Sequence, residues 1–90
     1  MSDAPREVRA DCAEIEFLRA ELLTGLTLSK IAREARHDDK RERNRLNARK
    51  AYDSILRFMP KVDIVSEDLM DIRSKLEQLR SELQLLGEAV

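Results

Sequence analysis

Few side chains in this sequence can do chemistry by themselves. One histidine, His37, and one cysteine, Cys12, are the only members of their kinds among 90 residues. A zinc or other transition-metal site draws three or four ligands from such types, so a lone imidazole and a lone thiol predict no metal centre. His37 precedes Asp38 and Asp39 and reads as a solvated loop histidine, with no pocket for a Ser–His–Asp arrangement. Cys12 reads as a small buried hydrophobe. A single cysteine also fits a reducing compartment better than a disulfide framework. The two glycines, Gly25 and Gly87, stand too far apart to make a phosphate-cradling loop. The sequence therefore predicts no catalysis and no cofactor.

The chemistry that remains is charge. Residues 36–50 carry seven cations against three carboxylates, whereas residues 1–35 are net −2 and residues 51–90 net −3. The cations are Arg36, Lys40, Arg41, Arg43, Arg45, Arg49 and Lys50, with Asn44 and Asn47 between them. At 100° per residue Arg41 and Arg45 share a helical face with Ala48, Tyr52 and Ile55. An apolar stripe thus turns cationic toward one end of its helix. Either that end is solvated or paired with carboxylates such as Glu14, Glu16 and Glu21, or it meets a partner. The candidate partner-binding residues are Arg41, Arg45, Ala48, Arg49 and Tyr52. Phosphate binding by Arg41, Arg43, Arg45, Arg49 and Lys50 is the nucleic-acid alternative. Against it stand an overall pI of about 5.9 and the absence of an aromatic in the basic run to stack bases.

These residues need helices to hold them. Ala, Glu, Lys, Leu and Arg make up 49 of the 90 residues, a composition of long helices. Residues 1–5 read as a flexible N-terminus. Val8, Cys12, Ile15, Leu18 and Leu22 then recur at steps of four, three, three and four, predicting a helix over 6–24. Gly25 is expected to end it as a left-handed cap. A short helix follows over 27–37, with Leu26 and Ile31 at hydrophobic-staple spacing around Thr27. Asp39 and Glu42 suit a capping box that opens a helix over 39–59, and Pro60 stops it. Ser66, followed by Glu67 and Asp68, is expected to cap a last helix over 66–87. That helix carries Leu69, Ile72, Leu76, Leu79, Leu83 and Leu86 at alternating steps of three and four, a heptad seam. The seam suits packing inside the chain or self-association.

Part of this pattern resembles a known repeat. Ala48, Tyr52, Ile55 and Pro60 follow at steps of four, three and five, similar to the second helix of a tetratricopeptide repeat. Leu28, Ile31, Ala32 and Ala35 look like its first helix, with Ala35 in place of the usual aromatic. The match covers Leu28 to Pro60, a single degenerate repeat, and joining its halves takes about four residues more than the 34-residue frame. Such a resemblance implies a helical hairpin that binds peptides or proteins.

The expected fold is therefore all-α: one small antiparallel bundle spanning 1–90, of three long helices and one short one. No run of about 18 apolar residues is present, so no membrane span is expected, and the acidic start does not read as a signal peptide. A cytoplasmic location follows from these readings. The expected function is a small non-catalytic interaction module that binds a protein partner or itself. The alternatives are nucleic-acid binding through the basic segment and a structural homo-oligomer.

Overall fold

A computed structural model describes the backbone of residues 3–62 and 66–90, and the side chains of 13–62 and 67–90. It is all-helical, with no strand among the described residues. Three long helices follow in order: α1 (Asp3–Glu34), α2 (Asp38–Phe58) and α3 (Ser66–Leu85), with a 3-10 turn at Met59–Lys61 after α2. The molecule is a rod of 57 × 17 × 17 Å. At about 1.5 Å rise per residue, the 32 residues of α1 span roughly 48 Å and set that length.

The count of elements differs from expectation at one place. The helices expected over 6–24 and 27–37 are one continuous α1, which also takes in residues 3–5. Gly25 does not end it. A Cβ on Gly25 would lie 2.7 Å from Leu79 Cδ2 and 3.5 Å from the Ala51 Cβ. The glycine is there because all three helices converge at that level. The small residues continue along the same face: Ser29 and Ala32 are fully buried, and Ala48 and Ala51 are buried in α2. Small side chains shorten the distance between helix axes, which the packed side chains otherwise set at about 8–10 Å. The α1 face is thus Ile15, Leu18, Leu22, Gly25, Ser29 and Ala32, all buried and stepping three, four, three, four, three. Leu28 and Ile31, assigned to the stripe from sequence, lie half-buried beside it.

The α1–α2 connection is Ala35-Arg36-His37, and α2 opens one residue before the expected Asp39 cap. His37 holds the N-cap position in extended geometry without a side-chain cap bond. Asp38 and Asp39 fill the first turn, where they favour the positive end of the helix dipole. Arg41 secures the turn by donating to the Ala35 carbonyl at 3.3 Å. Ala48, Ala51, Tyr52 and Ile55 form the buried face of α2, as their spacing predicts. At the far end Phe17 and Phe58 pack with ring centroids 4.8 Å apart and planes at 59°, a tilted geometry that aromatic quadrupoles favour.

The chain returns along α3, parallel to α1. Ile72, Leu79 and Leu83 are fully buried and join Leu18, Leu22 and Ile55 in the core. Burying each such side chain contributes about 1.5–3 kcal/mol. Leu69, Leu76 and Leu86, the other half of the heptad seam, are only half-buried. The helix closes in a Schellman motif. Gly87 takes φ +95°, its N–H donates to the Gln84 carbonyl at 3.0 Å, and the Glu88 N–H donates to the Leu83 carbonyl at 2.9 Å. This is the left-handed geometry that glycine accepts without strain. The side chains of Cys12 and Ser66, read from sequence as a buried hydrophobe and a helix cap, lie outside the described residues.

Candidate interaction surface

The five residues expected to meet a partner divide by depth. Ala48 is fully buried and Tyr52 is 7% exposed, so both serve the core. Arg45 and Arg49 lie one turn apart on α2 and converge on one carboxylate, that of Glu88. Arg49 Nη1 reaches Glu88 Oε1 at 2.7 Å, and Arg45 pairs with Oε2. The Glu88 side chain is only 9% exposed. Glu42 also pairs with Arg45, and Asp53 accepts from Arg49 Nε at 3.1 Å. Arg45 and Arg49 are therefore neutralised from within the chain.

Glu14, Glu16 and Glu21, the carboxylates suggested from sequence, do not make these pairs. The antiparallel turn sets Arg41–Arg49 beside the last turns of α1, beyond all three. The actual partner, Glu88, follows the Gly87 turn that aims the chain back over α2. A glycine in the left-handed position just after a leucine seam was the available signal for that reversal.

Two further ion-pair sites tie α1 to α3. Arg19 binds both Asp68, at 2.9 Å, and Asp71. Its hydrogen bond holds the Asp71 carboxyl below the usual aspartate value, against a smaller opposing effect of desolvation, and Asp71 in turn raises the Arg19 guanidinium. Arg33 meets Glu82 at 2.6 Å, and that hydrogen bond raises the Arg33 pKa. Above this joint lies an open trough of about 370 Å³, lined by Leu26, Thr27, Lys30, Arg33, Glu34, Gln78 and Glu82.

Large apolar side chains also face outward. Leu23 of α1 is 68% exposed, and Met70 and Leu85 of α3 are each 73% exposed. Leu46 and Leu56 of α2 are exposed as well. Among the described residues, no three His, Cys, Asp or Glu side chains gather as a metal site. No described helix is long and apolar enough to cross a membrane. The fold and its surface thus define a three-helix rod with an intramolecular carboxylate clamp and an α3 only partly covered by its neighbours. No family model, curated protein or solved structure matches the chain.

Proposed function

We propose that this chain is a small, non-catalytic helical module for protein–protein interaction. The observation that carries the reading is the apolar surplus of α3. Ile72, Leu79 and Leu83 satisfy the core, while Leu69, Leu76 and Leu86 stay half-exposed and Met70 and Leu85 stand in solvent. The uncovered apolar side chains gather at the two ends of α3, Leu69–Met70 and Leu85–Leu86, and each end offers apolar ground for a contact. The tight α1–α2 hairpin, Leu28 to Pro60, serves in this reading as a tetratricopeptide-like scaffold. Its support is the small-residue packing of Ala32, Ala48 and Ala51.

A photo-reactive residue placed at 70 or 85 in the full chain, within its native cells, tests this directly. The expected result is a discrete cross-linked product from both positions and none from the same probe at Lys40. No product from either position overturns the reading. A product of twice the chain's mass identifies the partner as a second copy. That outcome favours the homo-oligomer alternative, carried by the half-buried Leu69, Leu76 and Leu86 of the heptad seam, since its other members, Ile72, Leu79 and Leu83, are buried within the chain.

A further inference from the structure

The described cations fall into two groups. Arg19, Arg33, Arg45, Arg49, Lys75 and Arg80 each hold a carboxylate. Nine others form no ion pair with a described residue, and seven of those nine lie between residues 36 and 61. Arg41 among them is spent on a backbone carbonyl. Arg43, Lys50 and Arg57 are exposed on α2 and follow at seven-residue intervals. That interval drifts only about 20° per step around a helix, so the three form one stripe opposite the buried Ala48–Ile55 face. Exposed Arg36 extends the series by another seven residues, just before the helix, and exposed Lys61 closes it in the 3-10 turn. Asp38–Lys61 carry eight cations and four anions, although the whole chain is net −1.

We infer that this outer face of α2 binds the sugar-phosphate backbone of a nucleic-acid duplex, through Arg43, Lys50 and Arg57 with Arg36 and Lys61 at the ends. The inference is independent of the protein-interaction reading, which uses α3. Three observations support a duplex backbone as the occupant. Seven residues of helix rise about 10.5 Å, so the exposed cations form an extended ladder of positive charge that complements the regularly spaced charges of a phosphate backbone. From Arg36 to Lys50 no aromatic side chain lies beside the stripe, so its central part lacks the platform on which single-stranded bases stack; Phe17 and Phe58 adjoin only its far end, at Arg57 and Lys61. Around Arg43 and Lys50 the stripe's neighbours are Asp39, Glu42, Leu46 and Asn47. One leucine gives no apolar seam, which a docking acidic helix needs beneath its flanking charges. Asp39 and Glu42 flank Arg43 and temper its attraction, so the contact is non-specific and strongly dependent on salt.

The test is fluorescence anisotropy of a labelled DNA duplex of about 24 base pairs titrated with the full chain across a salt series. Five phosphate contacts predict a slope of about −4.5 in log K against log salt. Arg43→Gln with Lys50→Gln is expected to weaken binding about tenfold at low salt and to flatten the slope by about 1.8. Lys30→Gln with Arg73→Gln removes the same charge from α1 and α3 and is expected to leave both values near wild type. All four side chains are exposed, and an unchanged helical circular-dichroism signal checks that each variant folds. Absence of wild-type binding, or equal losses in the two double variants, overturns the inference. So does tighter binding of poly-glutamate than of the duplex with the same dependence on Arg43 and Lys50, which reassigns the stripe to an acidic protein.

Discussion

Gly25 shows at the residue scale how one position can carry two opposite meanings. In the sequence it interrupts an apolar pattern and reads as a terminator. In the fold it is the point where Leu79 and Ala51 come closest to the α1 backbone, a tertiary fact with no local signature. The two meanings predict different mutational outcomes. A free helix-interior glycine gains about 1 kcal/mol when replaced by alanine. Here the added methyl meets a fully buried Leu79, and overpacking costs about 1–3 kcal/mol. Gly25→Ala is therefore expected to lose about 1 kcal/mol net in chemical denaturation, and to become stabilising in a Leu79→Ala background. Ser29, one turn on, is fully buried with an unpartnered hydroxyl. Ser29→Ala should stabilise by about 1 kcal/mol, because it removes a buried polar group that makes no bond. Asp71 supplies a pH dependence. Its folded pKa is depressed, chiefly by the Arg19 hydrogen bond. Its contribution is thus present above the unfolded aspartate value, near 3.9, and is lost as pH falls through the lower folded value. Thermal melts should show Asp71→Asn less stable than wild type at pH 7, with the difference shrinking as the pH falls below the unfolded aspartate value.

At the scale of elements, α1 and α3 are held in register by a repeated distance. Arg19 pairs with Asp68 and Arg33 with Glu82, so both joints share one offset and lie fourteen residues apart on each helix. Fourteen residues are two heptads, the interval at which a parallel pair of helices repeats its contacts. Shifting α3 by one turn would leave Arg19 one of its two aspartates but take Glu82 away from Arg33. Each pair is solvent-exposed and adds little stability alone. Their role is orientation, and charge reversal tests it. Arg33→Glu should lower the melting temperature modestly, and Arg33→Glu with Glu82→Arg should restore most of the loss. Restoration that fails would show that Arg33 acts through packing of its stem instead. The helices themselves were legible: the buried face of α2 and the alternating leucines of α3 follow from spacing alone. The pairing was not, because exposed carboxylates stand on every helix and only the fold selects among them. For the same reason Arg45 and Arg49 looked like surface available to a partner. Nothing local to residues 36–50 announces that Glu88 closes on them.

Over the whole molecule, that closure decides how the third helix is retained. Each of α2 and α3 packs mainly on α1, and the end of α3 is joined to α2 by the segment after Gly87. Glu88 reaches Arg45 and Arg49, Val90 packs against the core, and Gln84 Nε2 donates to the Val90 carbonyl at 3.1 Å. The arrangement is a strap of a few residues that brings a nearly buried carboxylate to two guanidinium groups. Hydrogen bonds to charged groups contribute more than neutral ones, and a desolvated charge left without its partner adds its own penalty. Glu88→Gln is accordingly expected to destabilise the chain by about 2 kcal/mol, more than the loss of either arginine alone, since Glu88 keeps the second guanidinium when one is removed. The loss should also be local. The α1–α2 hairpin is locked by small-residue packing at Gly25, Ala32, Ala48 and Ala51. Amide exchange in Glu88→Gln should therefore quicken through the last turns of α3, near Leu79 and Leu83, while Ala48–Ile55 of α2 keeps its protection. Uniform loss of protection across all three helices would mean that the rod unfolds as one unit and that the strap belongs to its single core.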